Sequence, residues 1–357
     1  MVLEQGKLVL SSLRRKTSAV GFLIAALLLV PVFGQIVGLG QAKDQAKDQA
    51  KDAPTISDGE RKAVEKINNA KDPEAKMKAA ADFVKKNPKS TVRPRVASYV
   101  AEQISVGQNP QQIVALCQNF ISAYNTTEEG DLVRPGLVDA LLKLEKWDEA
   151  LAEGNQYLSR NPEDVTVHIS IAWAGANQIQ KQAANPNQNA KLTQAATESS
   201  AKAVELMEQD KRPSRFDEKN WGEYRNSWLP RLYLARGLML VAAGNRAEAK
   251  DNLEKAAGLD PYDPSTLMML VNITNEEYQD LAKRYQVEKK SDILDKAVEK
   301  MDEAIDWMAR AVAATEGNAQ MQQINQQLRE NLTAYYSFRH EGKNDGMNEL
   351  IEKYKKK

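Results

Sequence analysis

The chain has 357 residues with 49 Lys or Arg against 49 Asp or Glu, so its charge presents no broadly basic surface to nucleic acid or to an anionic substrate. Aromatic residues are only 6%, Ala, Gln, Lys and Glu are plentiful, and long β-branched runs are scarce, which is the composition of helices. One cysteine, Cys117, excludes an intramolecular disulfide framework and a multi-cysteine metal cluster; its place in the apolar run IVALCQNF predicts a buried, inert thiol.

In chain order, Lys7, Arg14, Arg15 and Lys16 precede AVGFLIAALLLVPVFGQIVGLG, residues 19–40, which carries no charged side chain. The run from Ala19 to Val30, ahead of Pro31, has the length of a signal-peptide core, and Gly40-Gln41-Ala42 supplies small residues at a cleavage-like spacing. The full stretch is also long enough to cross a bilayer. Residues 1–42 are therefore expected to be either a cleaved signal peptide or a retained transmembrane anchor. The basic flank keeps the N-terminus in the cytoplasm and the remainder outside it. QAKDQAKDQAKD, residues 41–52, repeats Lys and Asp every fourth position with no apolar face to bury, so residues 43–55 read as a charged spacer.

From residue 56 to residue 357 the pattern is repetition. Helical segments come in pairs with a period of roughly 34 residues, and Asn-Pro or Asp-Pro often closes a pair, as at Asn87-Pro88, Asn161-Pro162 and Asp260-Pro261. Copies are expected at about 56–89, 90–126, 131–164, 165–212, 230–261, a lengthened one ending at 317, and 318–355. Within GNRAEAKDNLEKAAGLDP a helix from about Arg246 to Leu259 puts Ala249, Leu253 and Ala256 on one face at i, i+4 and i+7. The same spacing recurs at Ala196, Ser200 and Ala203 and at Ala304, Met308 and Ala311. So shallow a stripe suits close approach by another helix.

With Tyr233 leading, Gly237, Ala249, Leu253, Ala256 and Pro261 match the pattern of tetratricopeptide (TPR) repeats position by position, and the chain resembles that family. In the copy at 131–164, Trp147, Ala150 and Pro162 match, but Val138 replaces the small residue, Gly154 the large one and Tyr157 the Ala. The resemblance implies an all-α fold, an α-solenoid of stacked antiparallel helix pairs wound into a right-handed superhelix with a concave face. In such arrays each pair buries its apolar face only by stacking on its neighbours.

Three stretches depart from the period. Residues 177–208 carry an Asn/Gln-rich link around Pro186, expected as a long inter-helix loop. Residues 211–229 place Trp221, Tyr224 and Trp228 on one helical face, with Phe216 ahead of them and Arg212, Arg215 and Arg225 nearby. Rigid aromatics beside arginine dominate binding hot spots, so Trp221, Tyr224, Arg225 and Trp228 are candidate protein-binding residues; the alternative is that they pack against adjoining helices. Residues 270–305 predict two helices longer than usual, with Tyr278 and Tyr285 along the extension. Near the C-terminus Met321, Ile324, Leu328, Leu332 and Tyr335 form one stripe, and Lys353, Lys355, Lys356 and Lys357 a solvated basic end.

No nucleophile motif, phosphate-binding glycine loop or Cys/His metal spacing is present in the sequence, and His168 and His340 lie far apart, so no catalytic, cofactor-binding or metal residue is named. Asp148-Glu149 and Asp302-Glu303 are expected at the starts of second helices, where acidic side chains favour the helix N-terminus. The expected function is non-enzymatic: an exported or membrane-anchored scaffold binding a protein or peptide segment in a bacterial cell envelope, periplasmic or held at the inner membrane. The alternative is a structural subunit of an envelope assembly that self-associates without a peptide groove.

Overall fold

The computed structural model describes residues 56–181 and 190–356, and within them it is all helical, with no strand. The signal or anchor segment, the charged spacer and the Asn/Gln-rich link around Pro186 lie outside the described residues. The described helices are α1 (Asp58–Asn69), α2 (Pro73–Lys86), α3 (Arg93–Ser105), α4 (Pro110–Tyr124), the single turn α5 (Thr127–Gly130), α6 (Arg134–Lys143), α7 (Trp147–Leu158) and α8 (Val165–Lys181). They continue with α9 (Ala190–Glu208), α10 (Glu218–Ala242), α11 (Arg246–Leu259), α12 (Pro264–Glu288), α13 (Ser291–Thr315), α14 (Gln322–Arg339) and α15 (Met347–Lys353). Leaving out α5, they make seven consecutive pairs, which follow the copies the sequence predicts except that the α10–α11 pair begins ahead of residue 230. No helix among the described residues is long and apolar enough to cross a membrane.

Local chemistry sets the boundaries. Ser57 and Glu60 form a reciprocal capping box on α1, and Asp72, Asn109 and Asp263 each accept a backbone N–H at the start of a helix that begins with proline. Proline therefore opens helices here as well as following them. Gly244 ends the turn after α10 at φ +82°, a conformation a side chain would strain, and α11 then spans Arg246–Leu259 as the periodicity predicts.

The described residues gather into two compact units, one holding 56–175 with 190–223, the other 176–181 with 224–356. In the first unit α2 packs on α3 and α4, and α4 packs on α6. Gly175 of α8 lies so close to α9 that a Cβ built on it would stand 2.1 Å from the Ala196 Cβ, and Ala196, Ser200 and Ala203 are all fully buried. In the second unit α11 packs on α12, and α13 on α14. A Cβ on Gly237 would meet Leu253 Cγ at 2.7 Å, the small-against-large contact of the tetratricopeptide pattern, and Ala249, Leu253 and Ala256 are buried beneath α10. Tyr233, Ala304, Met308 and Ala311 are buried as well, Trp147 is half-buried, and Pro162 and Pro261 lie exposed in the turns that follow their pairs.

The irregular copy at 131–164 resolves into the same contact with its sizes exchanged. Gly154 takes the hole and Val138 the knob: a Cβ on Gly154 would lie 3.8 Å from Val138 and 3.3 Å from Ile171 of the next helix. Ala150 remains fully buried, and Tyr157 turns its hydroxyl to donate to Asp164 at 2.6 Å. Asp131 ties the copy's ends together by accepting from Arg134, Arg160 and Asn161.

Three sequence expectations are corrected. Residues 177–181 and 190–208 are helical where a loop is expected, and the rest of that stretch, around Pro186, lies outside the described residues. The fifth copy does not start at Pro230: α10 runs from Glu218 through that proline, so residues 218–229, which depart from the period in sequence, extend a first helix. Asp302 and Glu303 sit in the middle of the 25-residue α13, not at a helix start. There Asp302 accepts from Arg339 and Glu303 from Lys300, whereas Asp148 and Glu149 do occupy the first turn of α7.

Candidate protein-interaction surface

Helix α10 carries the candidate residues, and its entry is fixed first. Asp217 accepts the Asn220 backbone N–H at 2.7 Å and so caps α10. Ahead of it, Arg212 donates to the Phe216 carbonyl and Arg215 reaches back to Asp164 with two hydrogen bonds of 2.9 and 3.0 Å. Neither arginine forms a recognition patch in this arrangement; both organise the loop.

Trp221 belongs with that loop. It is 3% exposed, its indole N–H donates to Asp210 at 2.7 Å, and its ring meets Phe216 edge-on at 5.7 Å. An aromatic so enclosed contributes packing to the first unit rather than a surface, so Trp221 is withdrawn from the candidate binding residues.

Tyr224, Arg225 and Trp228 fall in the second unit and remain half-buried. The Tyr224 and Trp228 rings lie 6.2 Å apart, one helical turn from each other, and the Arg231 guanidinium sits 5.4 Å over the Trp228 ring. Leu229 and Leu232, the latter one turn beyond Trp228 on the same face, are buried, so the aromatic row borders the apolar interior of its unit and is partly exposed. Arg231 is the member that sequence reading missed. Its signal was the i, i+3 spacing from Trp228, hidden because Pro230 was read as a helix start.

The remaining polar clusters serve the architecture. Lys250, 9% exposed at its side chain, bridges Glu277 at 2.9 Å and Glu303 at 2.6 Å, and Lys300 pairs with the same two carboxylates, stitching α11, α12 and α13 together. His168 lies 3.2 Å from the Pro162 carbonyl through Nε2, and burial lowers its pKa, so it is held as a packed imidazole. Burial likewise pushes the Cys117 thiol up to about 12, which matches the inert thiol expected from its setting.

Within its described residues the chain is thus an all-α protein of consecutive helix pairs, and its Gly237–Leu253 contact is similar to the tetratricopeptide pattern. Neither a protein-family model nor a curated protein sequence matches it. Among solved structures it is similar to a tetratricopeptide repeat protein from Parabacteroides merdae, at 12% identity and a TM-score of 0.39, over 83% of this chain and 98% of that one. That likeness transfers no residue role; the repeat reading rests on the Gly237–Leu253 and Gly175–Ala196 contacts in this molecule.

Proposed function

We propose that this chain is a protein-binding scaffold, exported or membrane-anchored, whose repeat domain holds a protein or peptide segment in the bacterial cell envelope. The observation that carries the binding is the half-buried row of Tyr224, Arg225, Trp228 and Arg231 on α10. Rigid aromatics lose little side-chain entropy on binding, and arginine adds charged hydrogen bonds, which is why such groups concentrate binding energy. The envelope reading is supported by the basic flank and uncharged apolar stretch at residues 7–40. Under this reading no residue has a catalytic, cofactor or metal role.

The test is an affinity pull-down of full-length protein from detergent-solubilised native membranes, with N-terminal sequencing of the recovered chain. Replacing Tyr224, Arg225 and Trp228 together by Ala is expected to abolish capture of a discrete partner while helicity by circular dichroism is retained. Trp221→Ala serves as the contrast, expected to lower thermal stability by about 3 kcal/mol or more through lost packing. Undiminished capture by the triple variant would end the assignment of α10, and its unfolding would return those side chains to the core. An intact N-terminus indicates a retained anchor, and one beginning near residue 43 a cleaved signal.

A further inference from the structure

We propose that the tip of the α12–α13 hairpin is a docking surface for a second copy of this chain. Both helices have 25 residues, and ion pairs mark where their neighbours stop. Arg246, at the first turn of α11, pairs with Glu276 and Asp280. Arg339, at the last turn of α14, pairs with Asp302. Residues 281–301 run past both neighbours, a projection of roughly 15 Å at 1.5 Å per residue. Ile293 and Ala297 are buried between the two helices, so the tip holds its own packing. Outside that seam, Val287 is 84% exposed and Leu294 39% exposed, with Val298 one turn further along α13 half-buried.

Charge selects the occupant. On the α12 side, residues 280–290 carry Lys283, Arg284, Lys289 and Lys290 against Asp280 and Glu288. On the α13 side, residues 291–301 carry Asp292, Asp295 and Glu299 against Lys296 and Lys300, the last paired with Glu277 and Glu303. Lys283 pairs with Asp280, and Arg284 and Lys290 with Glu288, so the α12 edge keeps a net positive balance and the α13 edge a net negative one. A two-fold axis across the tip brings the basic edge of each copy against the acidic edge of the other and pairs the exposed apolar side chains at the centre, which is the self-complementarity an isologous contact requires. An anionic lipid surface would meet the acidic edge with repulsion. Two short helical edges cover less than a standard interface, so association is weak and reversible, with dissociation on the order of micromolar.

The experiment is sedimentation velocity of the full-length chain in detergent, across protein concentrations from about 1 to 100 μM, spanning the expected dissociation range. The expected result is a mass that rises from one copy to two with concentration. Val287→Asp with Leu294→Asp, both at exposed positions, should weaken the dimer about tenfold or more, as should Lys289→Glu with Lys290→Glu. Adding Asp292→Lys and Asp295→Lys to the latter pair exchanges the two edges and should restore association. A single-copy mass at every concentration overturns the proposal. So does a dimer indifferent to all these changes, which places self-association elsewhere in the chain.

Discussion

Alanine in place of Gly175 is expected to destabilise the protein by about 1–2 kcal/mol, although alanine is by itself the better helix former. The added methyl would sit 2.1 Å from the Ala196 Cβ, well inside any real contact, and Ala196 cannot swing aside because its Cβ is fixed to the α9 backbone. The two helices must therefore separate. Overpacking of this kind costs about 1–3 kcal/mol, against a gain of about 0.5–1 kcal/mol from replacing a mid-helix glycine. Thermal unfolding should register a fall of about 2–8 °C, at a few degrees per kcal/mol for a chain of this size. Gly175→Ala combined with Ala196→Gly exchanges knob and hole and should recover most of the loss. A single variant at least as stable as the parent would mean that α8 and α9 are not in this close contact.

The exchange has a natural counterpart in the molecule, and it shows where sequence reading reached and where it stopped. Gly237 against Leu253 was legible because both residues stand where the family pattern puts small and large. Val138 and Gly154 looked like two defects when each was judged at its own position. They are one contact with its sizes reversed, and only the pairing across α6 and α7 reveals that. The long α12 and α13 were legible from their apolar periodicity, yet the role of Asp302 and Glu303 was not, because both depend on partners from other helices. Pro230 misled for a different reason: proline usually interrupts a helix, but neighbouring packing carries α10 through it, with Leu229, Leu232 and Tyr233 buried on either side. The candidate site was half legible. Tyr224, Arg225 and Trp228 are half-buried, whereas Trp221 is claimed by Asp210 and Phe216, residues that helical spacing alone does not bring beside it.

Arg215→Ala is expected to cost about 2 kcal/mol at neutral pH, with most of that cost disappearing in acid. Asp164 is 7% exposed at its side chain, and burial alone would raise its carboxyl pKa. The Arg215 guanidinium and hydrogen bonds from Tyr157 and Thr166 outweigh burial and hold it at about 2, below its ordinary 3.8. A carboxyl depressed in the folded state contributes stability that is fully present above its unfolded pKa, near pH 4, and is lost as the pH falls through its folded value. The depression corresponds to about 2 kcal/mol at 1.36 kcal/mol per unit. Without Arg215 the buried carboxylate keeps the Tyr157 and Thr166 donors but loses its countercharge, and burial then dominates. The variant is therefore weakest relative to the parent from about pH 5 to 7, and the two converge only as the pH falls through and below about 2, where Asp164 becomes protonated in the parent as well. The residue lies 51 positions from its partner and ties the loop before α10 to the turn before α8, so the loss should also loosen the seat of Trp221. Urea unfolding at about pH 7 and again at about pH 3, with hydrogen exchange followed over residues 211–223, measures both effects. Equal destabilisation at the two pH values would show that Arg215 acts through packing alone and that its charge does not hold Asp164 ionised.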